Sequence, residues 1–356
     1  MASPADPWQI PVRIAGQTAL QGLENATSGR IAALFERSFY LSTDTGLVCI
    51  GDETLYPGPL NLITAAPAGT NWRASGLCLH APVRFSTNRF SVGHQMSFSL
   101  EDLQPWKAAP GPDTPVALTA ARGLSGFRAT ARSQVRTEGL GGFIFKDEPD
   151  NSPCCRTASR PIANLNAGLH DVFRTRRPYA PDWFDICTIA GLGPGLTPAG
   201  DDFLGGMMIA LQALKEPSLC SSLWAVVEPC VAAAENAISH AHLKAASQGN
   251  AAAAIHDLLH AILAGDTGGV RRHIVEMDGL GHSSGWDTMA GVVTEQAGCG
   301  FDPDQGVIFL VLMGINRVIE QRPRDARGIE HHGRCAEAAG MGGPGQQRAP
   351  VKCDAK

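Results

Sequence analysis

Short apolar runs separated by turn signals fill the first hundred residues of the chain. Turn sequences such as Asp44-Thr45-Gly46 and Pro57-Gly58-Pro59 separate these runs, a pattern typical of successive strands. The predicted strands are Ser38–Ser42, Leu47–Gly51, Leu60–Ala65, Gly76–Ser86 and Phe90–Leu100. Val12–Leu20 is a further candidate strand, and the pattern over Ala26–Arg37 is ambiguous. Strands at this spacing predict a small antiparallel sheet or barrel, and we assign residues 1–110 to a β-rich domain.

From Trp183 onward the apolar residues recur at helical spacing instead. The predicted helices are Pro198–Leu214, Pro229–Ser247, Ala251–Ala264, Gly268–Met277, one that begins near Gly285, and Gln305–Gln321. We assign residues 181–322 to an all-helical domain. Residues 111–180 form a mixed connecting region in which Val116–Leu124 and Pro161–Arg174 have helical patterns. Residues 323–356 are rich in Gly, Pro, Arg and Ala without periodicity, which predicts a disordered tail. The predicted fold class is therefore α+β.

Charge and composition argue against several classes of protein. The chain has 356 residues, a net charge of −5 and no basic stripe, which argues against a nucleic-acid partner. Residues Met1–Gln9 lack the charged and apolar regions of a secretory signal. No apolar stretch reaches the roughly 18–20 residues that a membrane helix needs. We therefore expect a cytoplasmic protein without a membrane partner.

The ten cysteines are scattered and include no Cys-x-x-Cys pair. This distribution favours reduced, mostly buried thiols and argues against a structural zinc site. The adjacent Cys154 and Cys155 lie in a stretch rich in Asp, Asn, Ser and Pro, which predicts a surface loop.

A glycine-rich turn is the most informative segment of the chain. The letters GLGPGLTPAGDDFLGG run from Gly191 to Gly206. Glycines let the backbone bend and approach a ligand closely, and Thr197 and Pro198 predict an N-cap and the first helical residue. The N–H groups of Ala199, Gly200 and Asp201 would then point out of the helix start, which suits a phosphate or carboxylate. The predicted contacts of such an anion are Gly193, Gly195, Thr197 and Gly200.

Two acidic residues complicate this prediction. Asp201 and Asp202 suit the positive end of the helix dipole, but they would repel an anion unless a metal, a proton or a neutral substrate group intervened. In one interpretation one carboxylate caps the helix and the other acts as a base or an orienting acceptor. In the other, both residues only cap the helix.

A second segment repeats the pattern. Ala199-Gly200-x-Asp202-x-Leu204-x-Gly206 matches Ser284-Gly285-x-Asp287-x-Met289-x-Gly291, and Gly-Leu-Gly precedes each copy. We predict two helix N-termini that converge on one pocket, with Asp202 and Asp287 in matching positions. The predicted substrate contacts from the second turn are His282, Ser283, Ser284 and Gly285. A duplication that serves only helix packing is the alternative.

The helix predicted between the two turns supplies further candidates. At 100° per residue, Glu235, Ser239 and His242 lie along one edge of its apolar stripe and could line a pocket, with Ser239 as a substrate contact. Asn236 is predicted to face solvent, together with His240 and Lys244. His256 and His260 have helical spacing, but no third metal ligand accompanies them, so the metal ligands are unknown.

The sequence also resembles a known family at these motifs. GLGPGLTPAGDDFLGG, ISHAHLKAASQG (Ile238–Gly249), GHSSGWDTMAGVV and the LYPGPLNL segment (Leu55–Leu62) are similar to the AllH-type subunit of oxamate carbamoyltransferase. The resemblance covers about residues 10–320. Where the family pattern commonly has Ser, this chain has Ala199.

The resemblance implies one subunit of a multi-protein enzyme in purine-nitrogen (allantoin) catabolism. That enzyme interconverts oxalurate and phosphate with oxamate and carbamoyl phosphate, so the implied partners are a small anionic substrate and other subunits. We expect no cofactor, although a divalent metal is possible, and we assign the chemistry to Asp202, Asp287 and Asp201. Two alternatives remain open: a regulatory or scaffolding subunit that binds a small anionic effector, and a metal-dependent hydrolase.

Overall fold

Nine strands form the first part of the fold. The computed structural model describes residues 8–112, 117–145, 152–175 and 178–293. The strands are β1 (Trp8–Gly16), β2 (Gly29–Leu34), β3 (Ser38–Thr43), β4 (Leu47–Gly51), β5 (Asn61–Thr64), β6 (Pro82–Ser86), β7 (Arg89–Val92), β8 (Met96–Ser99) and β9 (Gln104–Trp106). A short helix, α1 (Gln17–Leu23), follows β1. The β-rich prediction is therefore confirmed, although the predicted run Val12–Leu20 crosses from β1 into α1.

The sheet closes into a barrel-like structure because β1 also pairs with β5, so that Val12 lies opposite Thr64. Large aromatic side chains fill its interior, where Phe39 packs against Trp72 and Phe90 stacks on Phe98 at 4.9 Å. The sheet is mixed rather than purely antiparallel. Strand β1 runs parallel to β8 and β9, and β4 runs parallel to β5.

Helices form the remainder of the described chain. They are α2 (Ala117–Ala131), α3 (Pro153–Thr175), α4 (Trp183–Ile189), α5 (Ala199–Ala213), α6 (Pro217–Ala233), α7 (Ala237–Ser247), α8 (Ala253–Ala264), α9 (Thr267–Asp278) and α10 (Ser284–Val293). One hydrophobic core joins them, from Phe127 of α2 through Ile162 of α3 to Phe203 of α5. The all-helical prediction is confirmed here. The predicted helix Gln305–Gln321 and the predicted tail lie outside the described residues.

The single helix predicted over Pro229–Ser247 is wrong. Helix α6 ends at Ala233, and Glu235 adopts a left-handed conformation with φ of 55°. Asn236 then caps α7, because its side chain accepts a hydrogen bond from the Ser239 N–H at 3.1 Å. The apolar residues keep their helical spacing across the break, so the pattern did not reveal these cap residues. As a result Glu235 is exposed, and it is not among the residues that line the cavity described below.

Two cysteine predictions are also wrong. Cys154 and Cys155 lie in the first turn of α3, where Ser152 Oγ accepts a hydrogen bond from the Cys155 N–H at 2.9 Å. Cys155 is buried in the helical core rather than in a surface loop. Cys187 of α4 and Cys230 of α6 form a disulfide across 43 residues of sequence, so not all thiols are reduced.

None of the helices in the described ranges combines the length and the apolar character that a membrane crossing requires.

Candidate functional site

A cavity of about 620 Å³ lies between the barrel and the helical core. The barrel contributes Arg37, Tyr40 and Tyr56 to its wall, and both glycine turns contribute to the opposite side. Small-molecule sites commonly have volumes of about 300–1,000 Å³ and combine apolar walls with a few polar groups. The cavity is thus of the right size and character to hold one or two small ligands.

The two copies of the repeated motif pack against each other on one side of this cavity. A methyl group on Gly206 of α5 would overlap the Thr288 carbonyl oxygen of α10, and a methyl group on Gly291 would overlap the Phe203 carbonyl oxygen. Phe203 and Thr288 hold matching positions in the two copies, so the contact is reciprocal, as in a local twofold. These glycines bring the two helix starts together, and Thr197 Oγ1 lies 3.2 Å from Ser284 Oγ. The predicted convergence of two helix N-termini on one pocket is confirmed.

The carboxylate of Asp201 is buried and fully engaged within the protein. It accepts hydrogen bonds from the Gly191 N–H at 2.7 Å and from Ser239 Oγ at 2.5 Å. Burial raises the pKa of Asp201, and these two hydrogen bonds act in the opposite direction. Asp201 therefore joins the glycine turn to α7, with Ser239 as its partner.

Asp202 presents a different environment. It lines the cavity, and its Oδ2 is inaccessible to solvent and has no hydrogen-bond partner among the described residues. Burial and the nearby carboxylate of Asp287 raise its pKa well above the usual value, whereas the Ser284 and Thr197 hydroxyls beside it oppose the shift. Unpaired buried polar atoms are rare in native proteins, and they mark places where a proton, water or ligand completes the structure.

Asp287 lies behind the wall of the cavity rather than in it. It is 1% exposed, and its carboxylate accepts hydrogen bonds from the Leu140 N–H and from Ser283 Oγ at 2.9 Å. Burial raises the pKa of Asp287, against the effect of these two donors. Its position therefore secures the backbone at Leu140 and the hydroxyl of Ser283.

The donors predicted at the start of α5 are mostly used within the protein. The Gly200 N–H donates to the Leu192 carbonyl at 2.9 Å, and the Asp201 N–H donates to the Pro198 carbonyl. Pro198, not Thr197, occupies the N-cap position, and the hydroxyls of Thr197 and Ser284 lie within hydrogen-bond distance of each other. The prediction that three free N–H groups point outward is wrong for two of them.

Most of the predicted site residues nevertheless meet at the cavity. Those that line it are Gly195, Thr197, Asp201, Asp202, Ser239, His282, Ser283, Ser284 and Gly285. Gly193, Gly200 and Asp287 pack close behind this surface and do not line it.

Asn236 and Arg136 support the two turns, a role that the sequence did not predict for either residue. Asn236 is partly exposed, and its Nδ2 also donates to the Leu196 carbonyl of the first turn at 2.8 Å. Arg136 donates through Nη1 to the His282 carbonyl at 2.6 Å and pairs with Asp278 at 2.9 Å. The cap position of Asn236 carries a local signal, whereas nothing near Arg136 in the sequence points to residues 278 and 282.

The barrel wall adds polar groups from distant parts of the chain. Tyr40 Oη lies 3.4 Å from His242 Nε2, across 202 residues of sequence. Burial lowers the pKa of His242 to about 4, so its imidazole is neutral near pH 7. The predicted position of His242 on a pocket wall is confirmed.

The donor groups that could hold a metal lie elsewhere. Within the described chain, Asp257, His273 and Glu276 bring three ligand atoms within 4.8 Å of one another, outside the cavity. The carboxylates of Asp201, Asp202 and Asp287 do not meet that spacing.

Comparison with protein families matches both parts of the chain. The model described as oxamate carbamoyltransferase subunit AllH matches residues 189–296, which contain both glycine turns. The model described as the AllH family N-terminal domain matches residues 12–105, the barrel. No curated protein and no solved structure matches the chain. Because the two models together cover more than half of the sequence, the chain belongs to the AllH family of oxamate carbamoyltransferase subunits.

Proposed function

We propose that the cavity binds the small anions of carbamoyl transfer: oxamate with carbamoyl phosphate, or oxalurate with phosphate. The family name supports an oxamate carbamoyltransferase subunit and implies other subunits. The resemblance assigns such an enzyme to the breakdown of allantoin nitrogen. Both glycine turns, which carry the family match, open into this cavity.

The observation that carries this proposal is the position of Asp202, which lines the cavity and whose Oδ2 has no protein donor among the described residues. In carbamoyl transfer the amide nitrogen of oxamate attacks the carbamoyl carbon, the carbon–oxygen bond to phosphate breaks, and the amide loses a proton. A carboxylate in a dry site with a raised pKa is suited to accept that proton. Asp201 and Asp287 are less suited to this role, because protein donors occupy both oxygens of each, whereas Asp202 keeps Oδ2 unpaired.

The wall that carries Asp202 also carries hydroxyl groups. The hydroxyls of Thr197, Ser283 and Ser284 lie at the same wall and supply fixed donors near the two helix starts. Such donors can polarise the carbamoyl carbonyl without reorganisation during the reaction.

The ligands themselves test the site first. Melting of the purified chain is measured with phosphate, carbamoyl phosphate, oxamate and oxalurate in turn, and a ligand at 100 times its Kd adds about 2.7 kcal/mol of stability. A shift with carbamoyl phosphate or oxamate that Thr197→Ala removes supports an anion site at the first turn. If no ligand shifts the melting of the chain or of its complex with partner subunits, the proposal fails.

Activity then tests the role of Asp202. In the assembled enzyme Asp202→Asn is expected to lower kcat by at least about 10²-fold, the usual loss for a general base. Asp102→Asn is the matched control, because Asp102 is exposed and has φ of 58°, a conformation that Asn also tolerates. An undiminished rate in Asp202→Asn removes the base assignment and leaves the cavity as an effector site of a regulatory or scaffolding subunit.

A further inference from the structure

The cavity has opposite polarity on its two walls. The helical wall and its rim carry the carboxyl groups of Asp201, Asp202 and Glu138. Arg37, on the barrel wall, is the one Lys or Arg among the described residues that line the cavity. A ligand that fills the space therefore meets an acid on one side and a permanent cation on the other.

The backbone that carries Arg37 is well fixed. Arg37 lies in the bend between β2 and β3, where the Phe35 N–H donates to the Ser38 carbonyl at 2.9 Å. The Trp72 N–H donates to the neighbouring Glu36 carbonyl at 2.9 Å, and Trp72 itself is buried in the barrel. The bend thus fixes the backbone of Arg37 beside the cavity that this residue lines.

The guanidinium, by contrast, is exposed, and among the described residues it has no ion pair or hydrogen bond. The acids of the helical wall do not pair with it, since Asp201 is bonded to Ser239 and Asp202 Oδ2 has no partner among the described residues. An arginine fork that has no partner in the protein is suited to bind a carboxylate through two parallel hydrogen bonds.

We infer that Arg37 holds the carboxylate of oxamate or oxalurate, so that the amide end of the substrate points toward Asp202. This inference rests on the proposed function and adds the orientation of the substrate to it. Oxamate has a carboxylate at one end and an amide at the other, which matches the polarity of the two walls. The barrel therefore supplies substrate selection, and the paired helix starts hold the reacting group.

The experiment compares oxamate, oxamide and inorganic phosphate as ligands of the full chain by calorimetry. Oxamide replaces the carboxylate with a neutral amide and keeps the rest of the molecule. The wild type is expected to prefer oxamate over oxamide. Arg37→Gln is expected to weaken oxamate binding by about 10- to 100-fold, the change in Kd expected from the loss of a charged hydrogen bond. This variant is also expected to bind oxamate and oxamide equally well. Arg37→Lys retains part of the affinity because it keeps the charge without the fork.

Arg84→Gln is the matched control, because Arg84 is an exposed arginine of the same barrel on β6 that does not line the cavity. Unchanged oxamate affinity in Arg37→Gln, with binding intact in the wild type, overturns the inference alone. A loss of phosphate affinity without a loss of oxamate affinity also overturns it, since the carboxylate then binds elsewhere. A wild-type chain that binds neither oxamate nor phosphate, alone or with its partner subunits, overturns both the inference and the proposed function.

Discussion

The reciprocal contact of α5 with α10 predicts that Gly206→Ala will be destabilising, although alanine is the better helix former. A methyl group at position 206 would overlap the Thr288 carbonyl oxygen and would lie 2.9 Å from the Thr288 carbonyl carbon and 3.1 Å from the Val292 nitrogen. These atoms belong to the backbone of α10, so no side-chain rotation can relieve the clash. The two helices must separate instead.

The size of the effect follows from two opposing terms. Overpacking of a close-packed core costs about 1–3 kcal/mol and occasionally more, and a rigid backbone neighbour favours the upper end. Alanine stabilises a helix by about 1 kcal/mol relative to glycine, which offsets part of this cost. We therefore expect a net loss of about 2 kcal/mol, which lowers the melting temperature by roughly 4–8 °C in a fold of this size.

Gly205→Ala is the matched control for this substitution. A methyl group at Gly205 would lie 3.6 Å from both the Ala246 Cβ and the Leu243 Cδ2, which is ordinary contact. Replacing this adjacent glycine of the same helix with alanine should therefore stabilise the protein, by up to about 1 kcal/mol. Melting of the two variants, followed by circular dichroism and chemical denaturation, should show changes of opposite sign.

The double variant Gly206→Ala, Gly291→Ala tests the reciprocity of the contact. Gly291 meets the Phe203 carbonyl in the same way, so helices already separated by one methyl group will accommodate the second at a smaller cost. The loss in the double variant should be less than the sum of the two single losses. Equal stabilities for Gly205→Ala and Gly206→Ala, or strictly additive losses, would refute the close contact between the helices.

Three further predictions follow from the buried groups and the disulfide. Because the fold raises the pKa of Asp202 above its unfolded value of about 3.9, the folded state binds more protons above that pH, and stability falls as pH rises. The free energy of unfolding of Asp202→Asn should therefore exceed that of the wild type at pH 7.5 by about 1–3 kcal/mol, and its melting temperature should be higher. This difference in stability should vanish toward pH 4. A lower melting temperature for the variant at pH 7.5 contradicts the prediction. His242 has a pKa of about 4 in the fold, so it contributes stability that is lost as pH falls from about 6.5 toward 4. An NMR titration of its ring should show a midpoint near this low pKa. A midpoint near 6.5 would exclude the burial of the ring. The Cys187–Cys230 bond closes a span of 43 residues, and the loss of chain entropy in the unfolded state stabilises the fold by up to about 4 kcal/mol. Dithiothreitol should therefore lower the melting temperature of the wild type but not that of Cys230→Ser. Equal responses of the two proteins would show that the bond is absent.

Local pattern was sufficient for much of the fold and for the location of the site. Strand β4 has its predicted bounds, Leu47–Gly51, because the turn sequences on either side break the chain sharply. The helices Ala253–Ala264 and Thr267–Asp278 follow from apolar spacing and from Gly265, which terminates the first of them at φ of 66°. The predicted helix over 229–247 failed because an apolar stripe can continue in register across a break at which Asn236 begins a new helix.

The sequence by itself determined that two copies of a glycine turn start two helices, and that carboxylates and hydroxyls gather where they meet. A repeated local motif fixes local geometry, so the match between Asp202 and Asp287 is visible without coordinates. Their roles are not visible, because each role depends on a distant partner: Leu140 engages Asp287 across 147 residues, and Asp202 Oδ2 has no partner in the described chain. Only the tertiary structure brings Arg37 and Tyr40 of the barrel to face the helix starts. Side-chain periodicity reports which face of an element is buried, not which element covers it.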